Sequence, residues 1–368
     1  MLECSFRCRL NGFALAPDLT TERGVSALYG PSGSGKSLTL LCLVGLRRPE
    51  RGWIRLNGRT LFDAEAGIHI APHLRRMALV FQEYALFPHL TTAGNLAYGL
   101  RGLTRNEVRS RVEAMLRLLR LDGFWDRYPG ELSGGQRQRV ALGRGLIVQP
   151  ELLLLDEPFS ALDQMERERL RAEVLELLQA FGGTTVLVTH DLEEAYLMAR
   201  QIAVIDGGRI LQSGPKDEVL QHPRDRRVAE HVGASNIFHG TVAAQAGGSS
   251  VIAWHGDQLA FSGSLPPPGT EVEFCIRPEH VRLVWPERTA ERPNVLRGRI
   301  TAEVERGTDY LLRFRSEGPA AGAGEIVINC SEHLHDLMKL QSGKPVWISF
   351  PPEKLHVLAS VPDHGAAG

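Results

Sequence analysis

The chain has 368 residues, 43% hydrophobic and 23% charged, which excludes a disordered, collagen-like or fibrous protein and leaves room for two or more domains. Lys+Arg number 42 against Asp+Glu 43, so the basic surplus of a protein that grips nucleic acid is absent in bulk, and no nucleic-acid partner is expected. No apolar run reaches the ~18 residues of a membrane-spanning helix, and Met1–Arg7 lacks the basic and apolar segments of a secretory signal.

Cys4, Cys8, Cys42, Cys275 and Cys330 are odd in number and scattered, without zinc spacing. They read as small apolar fillers of a reduced compartment, Cys42 buried in a helix.

From residue 1 to about 233, short apolar runs alternate with amphipathic stretches. Val25–Tyr29 reads as a buried strand, followed by a glycine-rich turn and the apolar helix Leu38–Leu46. Met77–Phe81, Leu152–Leu155, Thr185–Thr189 and Gln201–Ile205 read as further strands, and helices between such strands predict a mostly parallel sheet covered on both faces. A helix-rich insert, about 84–150, falls between the second and third of them. Thr104-Arg105-Asn106-Glu107 has the form of a capping box, and Glu166–Phe181 reads as a long helix ended by Gly182-Gly183. After Asn236, short alternating runs such as Glu271–Ile276 and Leu311–Phe314 are separated by turns at Pro266–Gly269 and Gly318–Gly324, which predicts a small all-β barrel over 236–361 and a frayed tail at Asp363–Gly368.

Gly30-Pro31-Ser32-Gly33-Ser34-Gly35-Lys36-Ser37 fits the phosphate-loop pattern between a strand and a helix. Its glycines let successive N–H groups curl inward on phosphate oxygens, and the helix that follows adds its positive end. Lys36 can reach the β- and γ-phosphates, and the Ser37 hydroxyl can ligate Mg²⁺. Asp156 and Glu157 close an apolar strand at the same sheet edge, where Asp156 would meet Mg²⁺ and Glu157 would polarise a water.

Leu132-Ser133-Gly134-Gly135-Gln136 then resembles the signature motif of ATP-binding cassette (ABC) ATPases, Gln136 standing 20 residues ahead of Asp156. The rest of that family's order is similar: Gln82 resembles the Q-loop glutamine, Ser160-Ala161-Leu162-Asp163 the D-loop, and His190 the switch histidine. The resemblance implies an α/β P-loop ABC ATPase domain (1–233) with a helical subdomain, followed by an OB-like (TOBE) regulatory domain. It implies ATP and Mg²⁺ as cofactors, with Ser37, Gln82 and Asp156 toward the metal. It further implies a head-to-tail dimer in which one copy's phosphate loop faces the other's Ser133, Gly134, Gly135 and Gln136. Glu157, His190 and Gln82 are its catalytic group, and Asp163 touches the shared nucleotide. The adenine-stacking aromatic of the family has two candidates, Phe6 and Phe13, with Phe13 preferred.

Phe81–Leu90 resembles the surface where importer cassettes receive a permease, with Tyr84, Leu86 and Phe87 expected to be exposed. Leu56–Ile68, Phe81–Leu90 and Gly94–Leu100 resemble molybdate importer ATPases, whereas Arg277-Pro278-Glu279-His280 also suits iron and polyamine relatives. The resemblance therefore implies a peripheral subunit on the cytoplasmic side of the inner membrane, with permease subunits and a solute-binding protein as partners. The substrate implied is molybdate or tungstate, with ferric iron, sulfate, polyamine or sugar as alternatives, and Arg277, Arg282, Arg297 and Arg299 are open candidates for an oxyanion. Two other classes stay open: a soluble cassette of DNA repair or translation, and a regulatory scaffold that hydrolyses slowly.

Overall fold

The computed structural model describes residues 1–160, 163–246 and 249–359, without the side chains of 245–249. Ala161, Leu162 and the tail Asp363–Gly368 lie outside the described residues. The chain divides into two compact units, Met1–Lys216 and Asp217–Gly368.

The central sheet of the first unit runs, in spatial order, through Arg209–Pro215, Gln201–Asp206, Gly24–Tyr29, Thr184–Thr189, Leu152–Asp156 and Met77–Val80. All neighbours are parallel except Arg209–Pro215, which returns antiparallel on a Gly207-Gly208 hairpin. Leu152–Leu155 and Thr184–Thr189 are buried throughout, as strands covered on both faces must be. The second expected strand stops at Val80, so Phe81 and Gln82 lie beyond its end.

A second sheet was not anticipated in the alternation of strands and helices. It orders Phe13–Leu15, Leu2–Leu10, Arg51–Leu56, Arg59–Asp63 and Ile68–His69, with Asp18–Thr21 also on Leu2–Leu10, and its pairs are antiparallel. Its cause is local. Leu2, Cys4, Phe6 and Cys8 alternate with polar residues and are buried, while Asn11-Gly12 and Asn57-Gly58 adopt the left-handed backbone of tight hairpins.

The helical layer contains Thr92–Ala97, Arg105–Leu118 and Gly134–Leu146. Thr104 and Glu107 form the expected capping box: Thr104 N–H donates to Glu107 Oε2 at 2.8 Å, and Glu107 N–H to Thr104 Oγ1 at 3.4 Å. The long helix spans Gln164–Phe181, and left-handed Gly182 ends it.

The second unit holds two antiparallel five-stranded sheets. One orders Asp257–Ser262, Ser249–Trp254, Asn236–Ala246, Glu271–Ile276 and His356–Leu358; the other orders Arg282–Val284, Pro345–Ser349, Val295–Glu305, Asp309–Ser316 and Glu325–Ser331. They share one core, in which Phe238 meets the Trp254 ring edge-on at 4.9 Å between centroids, with Phe274, Phe314 and Phe350 alongside. This is the expected small all-β, OB-like fold. The short helices Lys216–Gln221 and Arg226–His231 precede it, and Ala229 and Ala234 pack on Cys275 and Leu358.

Candidate phosphate-transfer site

The glycine-rich turn joins the strand Gly24–Tyr29 to the helix Lys36–Val44. Gly30 tolerates no side chain, because a Cβ there would lie 2.0 Å from Ile205 O. Gly35 caps the helix in the left-handed conformation and offers no side-chain acceptor, and the first turn carries no acid. The amides of that turn are therefore left for an external anion. Ser32 and Gly33 form the open outer edge, and the buried Ser34 hydroxyl has no hydrogen-bond partner among the described residues.

Lys36 is 4% exposed and folds back into the turn, its ammonium donating to Gly30 O at 2.8 Å and Pro31 O at 2.9 Å. Burial pulls its pKa down, against the opposing fields of Glu157 and Asp156. Ser37 Oγ donates to Asp156 Oδ1 at 2.9 Å, bringing together two hard oxygen ligands. Burial raises the Asp156 pKa, and the Ser37 hydrogen bond partly offsets this. An uncapped helix start, an orphaned buried hydroxyl, a cradle closed to side chains and a Ser–Asp oxygen pair fit a nucleotide polyphosphate with a divalent cation.

Glu157 follows the strand in left-handed backbone (φ 43°), a strained conformation for a residue with a Cβ. Its N–H donates to Val188 O at 3.0 Å, and the Ser160 hydroxyl donates to Glu157 O at 2.9 Å. The carboxylate thus stands between two partners: Glu157 Oε1 lies 3.8 Å from Lys36 Nζ, and Oε2 lies 3.0 Å from His190 Nδ1. That geometry can hold a water, accept its proton and hand charge to an imidazole.

The structure therefore brings Lys36, Ser37, Asp156, Glu157 and His190 together. Gln82 is exposed and makes no side-chain hydrogen bond among the described residues. Asp163 caps its own helix, accepting from Glu166 N–H at 2.9 Å. Ser133 and Gln136 form a reciprocal cap on Gly134–Leu146. Phe6 is a core residue, whereas the Phe13 ring reaches 3.1 Å from where a Gly35 Cβ would stand.

Tyr84 requires correction. Expected on the surface, it is 7% exposed, because Tyr84 and Ala85 both turn through left-handed backbone and swing the ring inward. Arg144 fixes that turn by donating to Ala85 O at 2.8 Å and Tyr84 O at 3.2 Å. Leu86 and Phe87 are half-buried, and Phe87 lies 4.2 Å from the Tyr98 ring. Buried Asn95 clamps the same loop, receiving Phe87 N–H at 2.8 Å and donating to Phe87 O and Leu90 O at 3.1 Å.

The barrel arginines are already matched with acids. Arg277 sits 2.5 Å from Glu279, Arg282 3.6 Å from Glu353, and Arg297 and Arg299 share Glu317 at 3.7 and 2.7 Å.

Behind His190 lies a set of residues that sequence reasoning missed. The Thr189 hydroxyl donates to Glu194 Oε2, and Arg171 Nη2 donates to Asp191 Oδ2 at 2.8 Å. Burial pushes the Glu194 pKa up to about 7, with the Thr189 bond and Arg171 working against it.

Residues 18–160 match the ABC transporter family, and residues 274–358 match the TOBE domain. A spermidine/putrescine import ATP-binding protein of Frankia alni is 40% identical over 90% of this chain and 72% of its own length. The chain belongs to the ABC transporter family. A molybdenum import ATP-binding protein of Paramagnetospirillum magneticum is 36% identical over 80% of this chain and 82% of its own. The solved structure of cbiO1 from Clostridium perfringens, part of the ABC transporter complex cbiONQ, superposes with a TM-score of 0.53 at 27% identity, covering 59% of this chain and 89% of that one. This ABC protein is an ATPase coupled to transport, built from a cassette and a TOBE domain. Among its described residues, no helix is long and apolar enough to cross a membrane.

Proposed function

We propose that this chain is the ATP-hydrolysing subunit of an importer for an oxyanion, molybdate or tungstate, bound peripherally to permease subunits on the cytoplasmic side of the inner membrane. A separate solute-binding protein would deliver the substrate. The cassette spans 1–233, its helical arm about 84–150 facing the permease, and 236–361 is the regulatory barrel. The observation that carries the ATPase reading is Glu157 held between Lys36 and His190, beside the Ser37–Asp156 pair.

In this reading, the phosphate-loop amides and Lys36 bind and orient the polyphosphate. Ser37, Asp156 and Gln82 would hold Mg²⁺, which when bound neutralises phosphate charge. Glu157 orients a water and takes its proton, and His190 steadies the carboxylate and meets the terminal phosphate. Ser133 and Gly135 come from a second copy, so one chain carries two half-sites, and Asp163 lies toward the shared nucleotide. Such catalysis is electrostatic positioning, and removing Glu157 or His190 should cut turnover while leaving nucleotide binding.

Glu157→Gln should bind ATP, hydrolyse it poorly and accumulate as a dimer. A monomer turning over at the wild-type rate would refute the composite site.

The oxyanion assignment rests on residues 56–100 and is supported by the Paramagnetospirillum relative. The Frankia relative, aligned over more of the chain, favours a polyamine as the second reading. Deleting the gene and following labelled molybdate, tungstate, sulfate, spermidine, ferric iron and maltose uptake decides between them. Selective loss of molybdate or tungstate uptake supports the first reading; loss of spermidine uptake replaces it.

A further inference from the structure

The helix Gly134–Leu146 starts with amides that its own backbone cannot satisfy. Gln136 N–H goes to Ser133 Oγ at 3.3 Å, and the Gln136 side chain returns to Ser133 N–H at 2.9 Å. Gly135 N–H is bound differently: it donates at 3.1 Å to Glu166 Oε1, a carboxylate from another helix. Glu166 sits in the first turn of Gln164–Phe181, and a Cβ on Gly135 would stand 2.7 Å from that same oxygen. A resident anion thus occupies an amide that the composite-site reading gives to the partner's γ-phosphate.

Both helices are capped without this contact, by Ser133 in one and Asp163 in the other. Glu166 can therefore leave Gly135 by turning its side chain, with neither helix unwinding. Its charge also makes it incompatible with a phosphate at the same place, since two anions cannot share one donor without large repulsion.

We propose that Glu166 is an internal competitor for the terminal phosphate of ATP, a residue that sets how much ATP closes the cassette dimer. This rests on the composite-site reading above. ADP lacks the phosphate that would displace Glu166, so the contact sharpens the distinction between the two nucleotides at the closing step and leaves nucleotide binding to the phosphate loop untouched.

The test uses the full chain carrying Glu157→Gln, with and without Glu166→Gln or Glu166→Leu, and follows dimer formation by analytical ultracentrifugation against ATP concentration. Both substitutions should lower the ATP needed for half-maximal dimer by about threefold to tenfold, the size expected for removing one carboxylate from a helix start. ADP affinity should stay unchanged in all three proteins. An unchanged or higher ATP requirement overturns the proposal, as does an equal shift in ADP affinity, which would mark Glu166 as a structural brace. Glu166→Gln is nearly isosteric and keeps an acceptor for Gly135, so it remains readable if the leucine variant folds poorly. A Glu157→Gln parent that stays monomeric at saturating ATP refutes the composite site itself, and the competitor with it.

Discussion

Replacing Glu194 by Gln should change the pH dependence of stability in a defined direction. Glu194 is 5% exposed, bonded to the Thr189 hydroxyl, and its second oxygen has no hydrogen-bond partner among the described residues. Its pKa is raised from 4.5 to about 7, chiefly by burial. A carboxyl whose folded pKa is raised binds its proton more tightly in the native state, so it favours folding at low pH and opposes it once ionised. The penalty is small below the unfolded value, grows as pH rises from 4.5 to about 7, and is complete above that. At 1.36 kcal/mol per pKa unit, the full penalty is about 3 kcal/mol, of which about 2 to 3 kcal/mol develops between pH 5 and pH 8. Glutamine keeps the acceptor for Thr189 and never ionises. Urea unfolding of both proteins across this range should show Glu194→Gln gaining on the wild type by that amount as pH rises. The absolute gap is offset by the unpartnered amide that glutamine leaves, about 1 to 3 kcal/mol, but this offset does not vary with pH. A gap constant from pH 5 to pH 8 would refute the reasoning, since it would mean that Glu194 does not titrate there.

Other expectations concern packing. Gly30→Ala should yield insoluble or unfolded protein on expression, because its methyl would stand 2.0 Å from Ile205 O, in backbone that cannot yield. Arg75→Met should lower stability by about 3 kcal/mol in urea unfolding, for Arg75 is fully buried and donates to Ile70 O, Cys42 O and Leu43 O, tying off the far end of the phosphate-loop helix. Thr104→Ala should cost about 1 kcal/mol, the worth of a helix cap, with ATP affinity unchanged in a binding titration.

What could be read from the sequence divides along a physical line. Strands of the central sheet were legible because a strand buried on both faces must be almost wholly apolar, as Leu152–Leu155 is. The antiparallel sheet was legible in principle, since Leu2, Cys4, Phe6 and Cys8 alternate and Asn11-Gly12 and Asn57-Gly58 are hairpin signals. The strands named in the sequence analysis begin at Val25, and the alternation ahead of it, with no helix between its runs, belongs to the antiparallel sheet. Lys36, Ser37, Asp156 and Glu157 could be grouped because phosphate chemistry places a glycine-rich turn and an acid-capped strand at one sheet edge, and His190 was implied only by the family resemblance. Tyr84 was misplaced because its burial depends on two residues adopting left-handed backbone and on Arg144, from a distant helix, holding their carbonyls. No local pattern encodes that. Glu194 and Glu166 are of the same kind, ordinary helix acids until the fold sets one against Thr189 and the other against Gly135.

The helix starts carry a further argument about how binding and folding are linked here. Thr104, Ser133, Asp163 and Asp191 each give a side-chain acceptor to an amide of the helix that follows. Gly35 gives none to Lys36–Val44. A missing cap costs about 1 kcal/mol, and burying Lys36 beside it adds to that cost. Both penalties fall on the segment that the proposed function gives to the phosphates, and both would be relieved by an anion seated on those amides. In the proposed site, local instability is thus stored where the ligand would bind, and its occupancy would stabilise the fold through the same contacts. The signature helix reverses this arrangement. Its start is satisfied twice over, by Ser133 from within and Glu166 from outside, so in the proposed composite site a phosphate arriving there would have to displace a group already in place. In the proposed mechanism, ready binding at one helix start and resisted binding at the other would let the cassette take up nucleotide as an open monomer and close only afterwards.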